Sequence, residues 1–131
     1  MLVRIALLCF VLSSCAGMMS PTVPLDREFT LAPNESAAID DTPIAIRFTG
    51  VEGDSRCPAD AICIQGGDAQ VKIEVVTDRQ VDKYVLHTGD MKPVTHGTLT
   101  IALVSLMPYP YASRTTDPAD YRATLRVSRA K

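Results

Sequence analysis

Cys57 and Cys63 are six positions apart in the run 54–67, between two stretches that alternate apolar and polar residues. A zinc site would need further ligands at recognisable spacing, a second Cys pair or paired His, and none follows within reach. A dithiol redox centre would read Cys-x-x-Cys, which is absent. In an oxidising compartment, two cysteines this close form a disulfide. Closing a seven-residue loop stabilises by about 2 kcal/mol in the chain-entropy view. The spacing therefore predicts a stapled connection between two strands, and it makes the compartment the next question.

The N-terminus answers it. Arg4 supplies a positive start and 5–12 an apolar run, too short for the ~20 residues that a membrane helix needs. This predicts a signal peptide over 1–14. Leu12-Ser13-Ser14-Cys15 resembles a bacterial lipobox, which implies that Cys15 is the lipidated first residue after cleavage. The competing reading is an ordinary signal peptide cut near Ala16-Gly17. Ala16, rather than an acid, follows the Cys. By resemblance to Gram-negative lipoproteins, that implies the periplasmic face of the outer membrane. Cys9 lies in the removed segment and leaves the cysteine count.

The remainder is long enough for one core. With 13 basic and 15 acidic residues, the chain has no basic excess to suit nucleic acid. Segment 15–26 carries Gly, Ser, Thr and Pro without periodicity and reads as the lipidated Cys and a flexible tether. The folded domain is expected over 27–131.

Within that domain the period is two. Ile44, Ile46 and Phe48 alternate with Ala45, Arg47 and Thr49; Gly50 then breaks the phase and predicts a bulge. Ala69, Val71, Ile73 and Val75 alternate with Gln70, Lys72 and Glu74. Residues 77–80 suit a hairpin into a strand over 81–87. Residues 88–97, with two Gly and a Pro, read as a loop. Residues 98–106 are apolar on both faces, as in a central strand. Pro108 and Pro110 end it. Tyr121, Ala123, Leu125 and Val127 alternate with Arg122, Thr124 and Arg126. With weaker strands over 27–31 and 36–39, about seven short strands predict an all-β domain, a single β-sandwich or small open barrel.

Asp54-Ser55-Arg56-Cys57-Pro58, then Cys63, Gly66 and the alternating 69–75, resembles a family of uncharacterised bacterial envelope lipoproteins. Leu106-Met107-Pro108-Tyr109-Pro110 and Asp120-Tyr121 are similar to its C-terminal half. The resemblance implies an all-β domain and no established activity. Gln65 departs from it, standing where an aromatic such as Trp is expected.

Two groups of side chains could carry chemistry. Asp54 and Arg56 flank the disulfide. A guanidinium there could recognise a carboxylate or phosphate, or pair internally with Asp54 to support the loop. His87, Met91 and His96 could suggest a periplasmic metal site, but blue copper would need a free Cys between its histidines. No metal or other cofactor is expected. There is no Gly-x-Ser-x-Gly elbow and no free Cys nucleophile once the disulfide forms, so an enzyme is not expected. The sequence thus reads as a non-enzymatic binding or accessory module of the envelope. It would be held to the membrane by lipid and would contact an envelope protein through loops or a sheet edge. The alternative is a small-ligand or metal-binding protein using the 87–96 loop.

Overall fold

In the computed structural model, which describes residues 20–131, the alternating stretches become strands that bury their apolar faces. The signal peptide and Cys15 lie outside these residues. Among the described residues there are nine strands: β1 (Thr22–Val23), β2 (Glu28–Leu31), β3 (Ser36–Ile39), β4 (Ala45–Glu52), β5 (Gln70–Val76), β6 (Val81–His87), β7 (Val94–His96), β8 (Leu99–Met107) and β9 (Arg122–Arg129). A single 3₁₀ turn, Pro118–Asp120, precedes β9 and is capped by the Asp117 carboxylate on the Ala119 N–H.

The strands form two sheets, ordered β1-β3-β4-β5-β6 and β2-β9-β8-β7. Neither sheet closes on itself, so the fold is a β-sandwich rather than a barrel. Ile46 and Phe48 of β4 and Val71, Ile73 and Val75 of β5 bury completely. Their counterparts in the second sheet are Ile101 and Leu103 of β8 and Ala123, Leu125 and Val127 of β9. Each large side chain so buried contributes roughly 1.5–3 kcal/mol, which is what the period-two pattern secures.

The phase break at Gly50 is real. The β4–β5 register slips between Phe48 and Gly50, and Gly50 sits at φ 147°, a region that glycine tolerates best. A second slip, between Leu103 and Ser105 of β8, has no glycine to announce it.

Two expectations need correction. The tether predicted over 15–26 ends earlier, because Thr22–Val23 pairs in parallel with Ala38–Ile39. The Pro21 carbonyl accepts the Ala38 N–H, and the Asp26 N–H donates to the Val127 carbonyl. Val23 and Leu25 pack on the core, which the Pro and Thr around them concealed. The loop predicted over 88–97 contains β7, whose three residues pair with β8 up to a tight turn at Gly97, where φ is +58°. Together, these account for nine strands in place of about seven.

The sandwich has unequal ends. The short connections 40–44, 77–80 and 97–98 lie at one end. At the other lie 32–35, the stapled 53–69, 88–93 and 108–121. Antiparallel β3 and β4 pair Ser36 with Arg47, so β3 starts at the long-loop end. The chain enters β1 from that same end, where Ser20 and Pro21 lie beside Asn34, Glu35 and Ser36.

Candidate functional site: the stapled loop and a free sheet edge

The loop leaving β4 is tied down by its own polar groups. The Ser55 N–H and hydroxyl both donate to the Asp68 carbonyl, at 2.7 and 2.9 Å, and the Asp68 N–H donates back to Ser55 Oγ at 3.1 Å. Cys57 and Cys63 are joined in a disulfide. Further along, the Asp60 carboxylate accepts from the Ala112 N–H at 2.7 Å and from the Ser113 hydroxyl at 3.0 Å. The Ala59 N–H donates to the Pro110 carbonyl. The connection is therefore fastened to both the β5 entrance and the 108–121 loop.

Arg56 is the rivet between them. Its side chain is buried, and four of the five N–H bonds that a guanidinium can donate are engaged. Nε and Nη2 reach the two oxygens of Asp54 at 2.9 and 2.7 Å. Nη1 reaches the Leu106 carbonyl and Nη2 the Pro108 carbonyl, both at 2.8 Å. Its carbon centre lies 5.1 Å from the centroid of the Tyr109 ring. The Tyr121 hydroxyl donates to Asp54 Oδ2 at 2.9 Å. Burial alone would raise the Asp54 carboxyl, but the bonds from Arg56 and Tyr121 outweigh it and hold the group below the ordinary carboxylate value. Burial likewise opposes the Arg56 charge, and the Asp54 carboxylate overcomes that too. Of the two roles open to Asp54 and Arg56, this geometry spends the fork on internal bonds. A neighbouring groove of about 390 Å³, lined by Arg56, Gly67, Met91, Leu106 and Tyr109, meets a guanidinium already committed.

The histidines and Met91 are not brought together. His87 sits at the end of β6 and donates from Nδ1 to Asp68 Oδ2 at 2.6 Å. Asp68 also accepts the Gly89 N–H at 2.9 Å. His96, on β7, shares a hydrogen bond with the Tyr84 hydroxyl at 2.9 Å and lies 3.7 Å from Asp82. Asp82 and Tyr84 point inward from β6, whereas His87, at odd register, points outward. The two imidazoles are thus on opposite faces of β6; the Met91 N–H donates to the His87 carbonyl at 3.0 Å, and the Met91 side chain is exposed. Among the described residues, no group of three or more His, Cys, Asp or Glu side chains could hold a metal ion.

A different feature emerges at β6. It is an edge strand of seven residues, longer than the other edges β1, β2 and β7. Bonds at its two ends set the phase of its ladder with β5: the Thr88 N–H donates to the Ala69 carbonyl, and the Thr77 N–H to the Gln80 carbonyl. Even-numbered residues of β6 therefore bond β5, and the backbones of Val81, Lys83 and Val85 face away from it. Among the described residues, nothing else bonds those three backbones. The side chains of Val81 and Val85 are also exposed.

No protein-family model matches this chain, and no curated protein or solved structure matches it either.

Sequence reasoning missed three features. Tyr121 read as an inward strand residue, and only the fold places its hydroxyl on Asp54. The Asp68–His87 bond joins residues 19 apart through the β5–β6 hairpin. Ile62 and Ile64 stand fully out in solvent on either side of Cys63, at 103% and 104% of full exposure. Two isoleucines in a Gly- and Asp-rich loop were the available signal.

Proposed function

We propose that this chain is a lipoprotein of the outer membrane, anchored at Cys15, whose periplasmic sandwich is a non-enzymatic binding module for another envelope protein. Binding occurs by strand addition at β6. The observation that carries this reading is the unpaired backbone of Val81, Lys83 and Val85 on the longest sheet edge. An extended segment laid there gains main-chain hydrogen bonds, and the exposed valines supply side-chain contact. Lys83, between them, disfavours two copies pairing edge to edge in register, since the like charges would meet. The spent guanidinium of Arg56 and the separated histidines favour a protein partner over a small ligand or metal in the loops. The lipobox-like run at Leu12-Ser13-Ser14-Cys15 and the disulfide support the compartment.

The anchor is tested by mass spectrometry of the membrane fraction, which should find an N-terminus at Cys15 carrying acyl chains. Binding is tested by a photo-crosslinking residue at Val85 in intact cells. It should capture one envelope protein, and Lys83→Pro should abolish capture while leaving the melting temperature almost unchanged, because the Lys83 N–H bonds nothing in the sandwich. Capture that persists in Lys83→Pro, or no capture from Val85, contradicts strand addition.

A further inference from the structure

Six of the eight large apolar side chains exposed among the described residues are Ile62, Ile64, Met91, Met107, Tyr109 and Tyr111, and all six lie at the long-loop end of the sandwich. The other two are Val81 and Val85 of the β6 edge. The loop bearing Ile62 and Ile64 is not a slack segment that solvent could fold back. The disulfide, the Asp60 bonds to 112–113 and the Arg56 rivet hold it in place. Two fully exposed isoleucines on a fastened loop, with four more exposed apolar side chains at the same end, make this end the apolar surface of the sandwich, and such surfaces mark sites of membrane or protein contact.

The chain's point of entry says which. Ser20 arrives at the same end of the sandwich, beside Asn34 and Glu35. The five residues from Cys15 to Ser20 reach at most about 18 Å, however they run. A lipid on Cys15 therefore holds this end, and not the short-turn end, close to the bilayer.

We propose that the Ile62–Ile64 tip inserts into the acyl boundary of the membrane, with Tyr109 and Tyr111 at headgroup depth, so that the anchored sandwich stands on its long-loop end. This rests on the anchoring at Cys15 proposed above. Tyrosine suits the headgroup level because its ring is apolar and its hydroxyl stays wet. Arg114 stacks over the Tyr111 ring at 4.4 Å, keeping a cation beside it. The carboxylates of Asp60, Asp90, Asp117 and Asp120 share this end with Lys92, Arg114 and Arg122, so it has no basic excess and its recognition is apolar rather than an attraction to anionic headgroups. In this posture the β6 edge runs up from the membrane and stays open to a periplasmic partner.

The chain has no Trp, so one introduced Trp reports alone. The processed full chain is purified with Ile62→Trp, or with Arg79→Trp at the opposite end, and reconstituted in phosphatidylcholine vesicles containing lipid brominated along its acyl chains. The tryptophan replacing Ile62 should lose much of its emission and shift to the blue, while that replacing Arg79 keeps its emission. Adding phosphatidylglycerol should not deepen the quenching. If Ile62→Trp fails to fold, Ile64→Trp takes its place. Emission at position 62 quenched no more than at position 79 overturns the proposal. Shielding of position 62 from aqueous acrylamide in native membranes, but not in protein-free vesicles, assigns the tip to a protein and also overturns it. Acylation is read separately by mass. Quenching at position 62 in an unacylated chain upholds insertion and removes the anchor; an acylated chain without quenching does the reverse.

Discussion

Arg56 lies edge to edge with Asp54, Nε on Oδ1 at 2.9 Å and Nη2 on Oδ2 at 2.7 Å. The two residues are only two positions apart, yet their pairing fixes contacts some 50 positions away. With its orientation set by Asp54, the guanidinium can also hold the carbonyls of Leu106 and Pro108. The stapled loop of the first sheet is thereby locked to the end of β8 in the second.

Arg56→Ala should lower stability by about 3 kcal/mol, since breaking a buried ion pair strands its partner. Asp54 would keep only the Tyr121 hydroxyl and its own loop N–H, and two carbonyls would lose donors. Tyr121→Phe should cost about 1.5–3 kcal/mol, one hydrogen bond to a charged group. Urea midpoints check both, and an unmoved midpoint in Arg56→Ala would show that the pair supports nothing.

Gly67→Ala should be destabilising although Gly67 needs no left-handed backbone. A Cβ there would overlap the Ser55 carbonyl, where the loop's two strands of chain close on each other. Backbone cannot swing away as a flexible side chain would, so overpacking of this kind costs about 1–3 kcal/mol. Gly66→Ala, with open space at its Cβ, is the control and should stay close to wild type.

Stability should fall gently on both sides of a plateau in pH. The hydrogen bond that His87 donates to Asp68 holds the imidazole above its ordinary value, with burial working the other way. A raised folded value means that this contribution is whole below about pH 6.5 and is lost as pH rises through the raised value. Asp54 and Asp68 both lie below the ordinary carboxylate value, despite burial that would raise them. Their contribution is whole above about pH 4 and is lost as pH falls further. Denaturant midpoints across pH should show the plateau, and His87→Gln should flatten its alkaline side and weaken the part of the acid side that Asp68 contributes, since His87 is the main group that lowers Asp68, while the Asp54 part stays. An alkaline slope unchanged in His87→Gln would contradict the pairing.

The period of two was legible wherever one face of a strand is buried, as in Val71, Ile73 and Val75, and it carried the class of fold. So were the disulfide, from the spacing of its two cysteines, and the bulge, from Gly50. What escaped reading depends on partners distant in sequence. Thr22–Val23 is too short to alternate and is a strand only because Ala38–Ile39 lies beside it. Val94–His96 is likewise made by β8. The roles of Arg56 and Asp54 stayed open in the sequence, because nothing local says that Leu106 and Pro108 will offer carbonyls. The free edge of β6 was invisible for the same reason: strand order is a property of the whole sheet.

The proposed binding at that edge is tested most directly by backbone hydrogen exchange, read residue by residue on the isolated domain and then on the protein in native membrane fragments. In the isolated domain, the amides of Asp82, Tyr84 and Leu86 should be protected by β5, and those of Val81, Lys83 and Val85 should exchange freely. In the membrane fragments, Val81, Lys83 and Val85 should become protected in the same alternating pattern, as an added strand requires. Free exchange of those three amides in the native membrane would contradict β6 as the binding edge.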